Sequence, residues 1–124
     1  MGRDFTGDTI QESMSVMKAS ELRIGNLIKD RAKVVEVENH HFSLLESYHK
    51  EDFQPIPLTE EWLLKFGFKT KDKVFWDVGN FRVGQDRWGG YDYVNRRVDI
   101  DLKYVHQLQN LYFALTGEEL TIKE

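Results

Sequence analysis

The stretch DIDLKYVHQLQNLYFALTGEEL, residues Asp99 to Leu120, decides the expected fold, because it is the longest run of the chain with a helical period. At about 100° per residue, five apolar or aromatic side chains fall within about 60° of Leu108. They form a stripe wide enough to bury, made of Tyr104, Val105, Leu111, Tyr112 and Leu115. Asp101 is the predicted N-cap, Gly117 is the predicted end, and Leu120 is expected to fold back afterwards.

A second row of side chains runs along another side of the same helix. It repeats at i, i+4, i+7 and i+11 and consists of Leu102, His106, Gln109 and Phe113. Half of the row is apolar. Two interpretations stay open, a second packing surface inside the protein or a contact surface for a partner.

Composition limits the class of protein. The chain has 124 residues, of which 40% are hydrophobic and 31% charged, and it contains no cysteine. No apolar run approaches the roughly 20 residues that cross a membrane, so we expect a cytoplasmic protein without membrane contact or disulfides. Seventeen basic against twenty-one acidic residues give a net charge of −4, which argues against broad binding to phosphate backbones. We expect a mobile tail over residues 1–16 and a single domain over residues 17–124.

The first half of the domain predicts a small, strongly bent antiparallel sheet, SH3-like in character. Three short strand-like pieces, residues 22–28, 33–39 and 41–47, are separated by turn residues. In the second piece Val35 and Val37 point one way, and Val34 points the other. Pro55 and Pro57 then favour an extended segment.

A short central helix should follow, with Thr59 as its N-cap and Gly67 as its end. Residues 74–100 contain glycine and asparagine breaks between four short strands and predict an antiparallel β meander. The charged stretch KTKDK, residues 69–73, is interpreted as an exposed turn. The predicted fold class is therefore α+β, with the long C-terminal helix packed on the meander.

Candidate sites for chemistry are few. His40 and His41 are adjacent, and His49 lies in a polar segment close to Asp52, but no ligand spacing of a known metal type is present. We interpret these histidines as structural or solvated and predict no metal and no cofactor. His106 is expected to be a surface or interface residue rather than a general base.

Two further patterns of the sequence bear on catalysis. Asp99 and Asp101 share one strand face, as paired acid and base carboxylates do, but they also suit outward positions at a helix entry. There is no cysteine nucleophile and no G-x-S-x-G motif. We therefore predict no catalytic residues and a protein that is not an enzyme.

The meander carries the main nucleic-acid signal. Its arginines are interleaved with aromatic side chains, which is how proteins stack and neutralise single strands. The arginines are Arg82, Arg87, Arg96 and Arg97, and the aromatic residues are Phe81, Trp88, Tyr91 and Tyr93. Because most of these aromatic residues are also needed for a core, single-stranded RNA or DNA binding is the alternative function here.

Three blocks of the sequence resemble small, mostly uncharacterised proteins of Bacteroidota genomes and their prophages. The blocks are MKASELRIGNLI, PIPLTEEWLLKFGF and KYVHQLQNLYFALTGEEL, and the resemblance extends over roughly residues 17–124. It implies a phage or mobile-element setting and carries no catalytic motif.

These observations together favour a non-enzymatic protein-binding module. Its expected partner is a host protein, and inhibition of a host defence nuclease such as a CRISPR nuclease or its RNA complex suits a phage setting. Acidic charge and surplus aromatic residues fit an interface with a protein. The predicted partner-binding residues are Trp88, Tyr91, His106 and Phe113.

Overall fold

A computed structural model describes residues 19–45, 52–95 and 99–123 of the chain. The chain divides into two compact units, Met1–Ile56 and Pro57–Glu124. Residues 1–16, for which a mobile tail is predicted, lie outside the described residues. No helix in the described part of the chain is long and apolar enough to span a bilayer.

The N-terminal unit is built on a small antiparallel sheet with strand order β2–β1–β3. After a 3₁₀ turn at Ala19–Glu21, its elements are β1 Leu27–Asp30, β2 Lys33–Glu36, α1 Asn39–Leu45 and β3 Phe53–Gln54. The buried cluster of this unit consists of Leu22, Ile28, Val37 and Phe53, with Val35 and Phe42 packed against it. Val34 is exposed, as the predicted alternation along this strand requires.

The prediction of a strand over residues 41–47 is wrong, because Asn39–Leu45 is helix α1. The helix begins where the Glu38 N–H donates to His41 Nδ1 at 2.8 Å and the His41 N–H donates to the Glu38 carbonyl at 3.0 Å. This local turn satisfies backbone groups at the start of the helix. The third strand of the sheet is instead Phe53–Gln54, which pairs with β1.

Asn26 is fully buried between the 3₁₀ turn and β1, and it joins two parts of the N-terminal unit. Its Oδ1 accepts the Arg23 N–H at 2.7 Å, and its main-chain carbonyl accepts the Val37 N–H at 2.7 Å. We expect Asn26→Ala to lower the free energy of unfolding by about 1–3 kcal/mol, because the partly buried Arg23 N–H loses its acceptor. Denaturant titration checks this against Ile24→Ala, an exposed control in the same unit. Equal stability of the two variants would contradict it.

The C-terminal unit is a five-stranded antiparallel meander with two helices. Its elements are α2 Glu60–Lys65, β4 Lys69–Thr70, β5 Phe75–Val78, β6 Phe81–Gln85, β7 Tyr91–Val94, β8 Asp99–Leu102 and α3 Val105–Thr116. The α+β class is thereby confirmed. The meander has one strand more than predicted, because Lys69 and Thr70 of the expected turn pair with Asp77 and Trp76.

Both ends of α2 match the prediction. The Thr59 side chain accepts the Trp62 N–H at 3.4 Å, and the chain leaves the helix at Gly67 with a φ of 91°. A positive φ of this kind suits glycine, which has no Cβ to clash with the backbone.

The predicted N-cap of the long helix is wrong. Asp101 lies in β8, and α3 begins only at Val105, with Tyr104 at the cap position. The Gln107 side-chain oxygen accepts the N–H groups of Lys103 and Tyr104, at 2.8 and 3.1 Å. The predicted end is confirmed, since Gly117 has a φ of 77° and Leu120 is buried.

The two faces of the meander differ in chemistry. The core face carries buried side chains, namely Trp76, Phe81, Val83, Tyr91 and Leu102. Phe81 contacts Tyr112 of α3 at 5.2 Å between ring centroids, so the helix lies against this face. Cross-strand register puts the charged side chains on the other side of the sheet, here called the polar face, made of Lys69, Asp77, Arg82, Asp92, Asp99 and Asp101.

The predicted stripe of α3 is buried in its first half. Val105 and Leu108 are fully buried, Leu111 and Tyr112 are half-buried, and Leu115 is exposed. The helix therefore leaves the core near its C-terminal end.

Candidate protein-binding surface

The turn between β6 and β7, residues Asp86–Gly90, presents Trp88 to solvent. Asp86 holds this turn with its backbone and its side chain. The Asp86 N–H donates to the Gly90 carbonyl at 2.9 Å, and Asp86 Oδ1 accepts the N–H groups of Trp88 and Gly90, each at 2.8 Å. Gly89, with a φ of 88°, supplies the left-handed position of the turn. An aspartate that accepts from the backbone two residues ahead, followed by glycine, is a typical turn arrangement.

The Trp88 side chain is 86% exposed, the largest exposure among the large hydrophobic side chains of the described residues. Its backbone is nevertheless fixed by the Asp86 carboxylate. A partner that covers the indole thus removes a large apolar area from water without having to order the turn. Tryptophan is also among the residue types that dominate binding energy at protein interfaces.

The other predicted partner-binding residues do not share this exposure. Tyr91 is 5% exposed and His106 is 1% exposed, so both side chains are buried in the described fold. Tyr91 packs edge-on against Trp76 with ring centroids 5.5 Å apart. Burial raises the pKa of its phenol, and the Glu60 carboxylate raises it further.

The second row of α3 is therefore mainly a packing surface. His106 and Gln109 are buried, and so is Leu102, the first residue of the predicted row, which lies in β8 and not in the helix. The His106 ring stacks on Tyr104 at a centroid distance of 5.8 Å. Phe113 alone reaches the surface, with 38% exposure.

A shallow groove of about 330 Å³ lies at the C-terminal end of α3. Its lining comes from the β5–β6 turn, three strands and the helix, and includes Val78, Phe81, Tyr93, Tyr112 and Leu115. The exposed Leu115 marks its helix side. This groove has a mixed polar and apolar lining and lies at a different place in the C-terminal unit from the Trp88 turn.

Within residues 52–95, the described members of the arginine and aromatic patch predicted for nucleic acid do not form one continuous surface. Arg82 makes a two-point ion pair with Asp77, at 2.7 and 3.2 Å, and lies over the Phe75 ring at 4.9 Å. Arg96 and Arg97 lie outside the described residues. Arg87 is exposed beside Trp88.

The aromatic half of that patch belongs mostly to the core. Phe81 and Tyr91 are buried, and Tyr93 is half-buried. The Phe81 ring also contacts Phe68 and Tyr93, with centroids at 6.1 and 4.7 Å. Of the four aromatic residues, Trp88 is the one whose ring faces solvent.

A cleft of about 650 Å³ beside β4 was not foreseen from the sequence. Its lining includes Lys69, Lys71 and Arg82, together with Asp72 and Asp77. Asp72 Oδ1 accepts the N–H groups of Val74 and Phe75, and these hydrogen bonds lower the pKa of its carboxyl group. Because Arg82 is engaged by Asp77, the two lysines are the cations of this cleft that have no ion-pair partner among the described residues.

Of the two described histidines of α1, His41 has a structural position. His41 is buried, accepts the Glu38 N–H through Nδ1, and packs edge-on against Phe53 at 5.6 Å. His40 lies next to it with ring centroids 4.1 Å apart, whereas His49 falls outside the described residues. Across residues 19–45, 52–95 and 99–123, no group of three histidine, aspartate or glutamate side chains is placed to hold a metal ion.

Asp92 lies among other carboxylates on the polar face. Burial raises its pKa, and the charges of Asp86, Asp101 and Asp99 raise it further. Its charged form is therefore less stable in the folded than in the unfolded state. The loss of stability begins as the pH rises past the pKa of Asp92 in the unfolded state, about 4. It is complete once the pH exceeds the raised pKa of Asp92 in the folded state.

We therefore expect Asp92→Asn to raise the melting temperature at neutral pH, because the variant removes a carboxylate that the fold disfavours. The gain should vanish below about pH 3, where wild-type Asp92 is protonated in both states. Thermal unfolding at the two pH values measures this. Glu118→Gln, a loss of one exposed carboxylate in the same unit, is the control. A gain of equal size at both pH values would contradict the assignment.

Comparisons with known proteins identify no relative of this chain. The chain matches no protein-family model, and searches of curated proteins and of solved structures give no significant similarity.

Proposed function

We propose that the protein is a non-enzymatic protein-binding module whose C-terminal unit uses Trp88 as its anchor. The observation that carries this proposal is an indole that is 86% exposed on a turn whose backbone is held by the Asp86 side chain. Exposing such a large apolar ring to water is unfavourable for the free protein, and covering it is favourable. Fixing the turn in advance reduces the entropy that binding costs.

The proposed partner is a protein of the host cell. The resemblance of three sequence blocks to prophage proteins supports a phage or mobile-element setting. In that setting we propose inhibition of a host defence nuclease, a CRISPR nuclease or its RNA complex, as the biological role. The net charge of −4 supports contact with a basic surface of such an enzyme.

A second candidate function is binding of single-stranded RNA or DNA. It is supported by Arg87, an exposed cation next to the exposed indole. An aromatic ring beside a guanidinium group can stack on a base and neutralise a phosphate.

Affinity capture separates the two functions. Purified protein is immobilised and exposed to host lysate with and without nuclease, at low and at near-physiological salt, and retained material is identified by mass spectrometry. We expect one protein to be retained after nuclease treatment. Retention that disappears with nuclease, and falls steeply with salt, would support the nucleic-acid function instead.

A further inference from the structure

Strand β8 forms one edge of the five-stranded sheet, since it pairs with β7 and with no other strand of the described residues. Its first three residues, Asp99, Ile100 and Asp101, are all exposed. An exposed edge offers unpaired N–H and C=O groups to an added strand.

The hydrogen bonds of the sheet show which backbone N–H and C=O groups of β8 point away from β7. The Asp86 N–H donates to the Gly90 carbonyl, so even-numbered residues of β7 turn their backbone groups toward β6. Odd-numbered residues of β7 then face β8. Their partners there are Leu102, opposite Tyr91, and Ile100, opposite Tyr93.

The backbone N–H and C=O groups of Asp99 and Asp101 therefore point away from the sheet. Lys103, the next odd-numbered residue, also turns its backbone carbonyl away from β7. Its carbonyl accepts the Leu58 N–H at 2.9 Å, and Pro57 makes a β-bridge with Tyr104. The chain thus already adds a short extended piece on this side, just beyond the C-terminal end of β8.

Charge determines what can occupy the edge. Asp99 and Asp101 lie on the polar face, with Asp92 directly opposite Asp101. Pairing of β8 with β8 of a second copy would bring these carboxylates close together, which is unfavourable. A strand with lysine or arginine at alternate positions would place cations beside them. One internal cation competes weakly, since Lys103 Nζ lies 3.9 Å from Asp101 Oδ2 on a mostly exposed side chain.

We propose that the outer edge of β8 binds an extended, basic segment of a partner protein as an antiparallel sixth strand. This inference rests on the proposed protein-binding function and names the chemistry of the partner segment. Backbone hydrogen bonds to Asp99 and Asp101 would fix the register, and their carboxylates would select basic side chains.

Short peptides of alternating lysine and valine test the proposal. With lysine opposite the aspartates, the lysine N–H groups face β8 and the valine N–H groups face away. The probe is a labelled, end-blocked peptide in three forms. One form is unmodified, one is methylated on the backbone nitrogens of its lysines, and one is methylated on the backbone nitrogens of its valines. Fluorescence anisotropy should show binding of the unmodified and valine-methylated forms. Methylation of the lysines should weaken binding about tenfold, through loss of the strand hydrogen bonds.

Two variants of one residue provide the matched test on the protein. Asp101→Asn removes a charge and keeps the outward N–H, whereas Asp101→Pro removes both without breaking a bond to β7. We expect Asp101→Pro to bind the unmodified peptide about fivefold to tenfold more weakly than Asp101→Asn. Glu61→Gln, which removes an exposed carboxylate on α2, should bind like wild type.

The outcomes separate this inference from the proposed function. No binding of any basic peptide, or equal binding of both methylated forms, overturns strand addition at β8. If a matched peptide of alternating glutamate and valine binds as tightly as the lysine and valine peptide, the charge argument is overturned. Either result leaves the proposed function intact if capture of a protein partner still depends on Trp88. If capture does not depend on Trp88, the Trp88 proposal is overturned whatever the peptides show.

Discussion

Phe81→Ala is expected to lower the free energy of unfolding of the C-terminal unit by about 3–5 kcal/mol. The Phe81 side chain is 4% exposed and lies where β6, β7 and α3 meet. Its ring centroid is 6.1 Å from Phe68, 4.7 Å from Tyr93 and 5.2 Å from Tyr112. Truncation would remove a large buried apolar area and leave a cavity that the sheet and the helix cannot easily close.

Denaturant titration followed by tryptophan fluorescence measures this loss. Leu64→Ala is the matched control, since Leu64 is 51% exposed on α2 of the same unit, and we expect a change within about 0.5 kcal/mol. A Phe81→Ala variant about as stable as the control would show that Phe81 does not hold the helix to the sheet.

Trp88→Ala should weaken binding to the protein partner by at least about 2 kcal/mol, or about 30-fold in Kd, with little change in stability. The indole is 86% exposed, so its removal costs the folded state few contacts. The bound state would lose the full apolar area of the ring and leave its pocket on the partner empty. Calorimetric titration of the partner into wild-type and variant protein measures the ratio.

Two related variants separate the ring from the turn. Trp88→Phe keeps an aromatic ring and should retain part of the affinity. Asp86→Ala keeps the indole but removes the acceptor for the Trp88 and Gly90 N–H groups, so binding should weaken because the turn must be ordered. Unchanged affinity in Trp88→Ala would remove Trp88 from the interface.

Elements with local signals were predicted correctly from the sequence. Thr59 and Gly67 delimit α2, and Gly117 ends α3, because capping depends on a few neighbouring residues. In β6, buried Phe81 and Val83 lie on either side of exposed Arg82, as the alternation along a strand predicts. These features need no knowledge of distant contacts.

Elements that depend on pairing between strands were not predicted, or were predicted with the wrong bounds. Asp101 is a good helix cap by residue type, but the ladder to β7 continues to Leu102 and keeps it in a strand. Lys69 and Thr70 read as a turn by composition and become β4 only because β5 lies beside them. The strand predicted over residues 41–47 overlaps helix Asn39–Leu45, since a short apolar run has no decisive period.

The candidate surface could be predicted only in part. The aspartate and the two glycines around Trp88 are a turn signal, and a tryptophan in a turn is expected to be exposed. Tyr91 comes three residues later on the core face, where it packs on Trp76. His106 is polar by type, and its burial depends on packing that one sequence does not reveal. The free edge of β8 depends on strand order, which is a property of the whole unit.

Capture from nuclease-treated host lysate on wild-type protein, Trp88→Ala and Leu64→Ala tests the central claim most directly. Equal amounts of folded protein are immobilised, and retained proteins are quantified by mass spectrometry. We predict one protein that is retained by wild type and by Leu64→Ala and is largely lost from Trp88→Ala. A protein retained equally by all three, or no retained protein, would contradict the proposal that Trp88 anchors a protein partner.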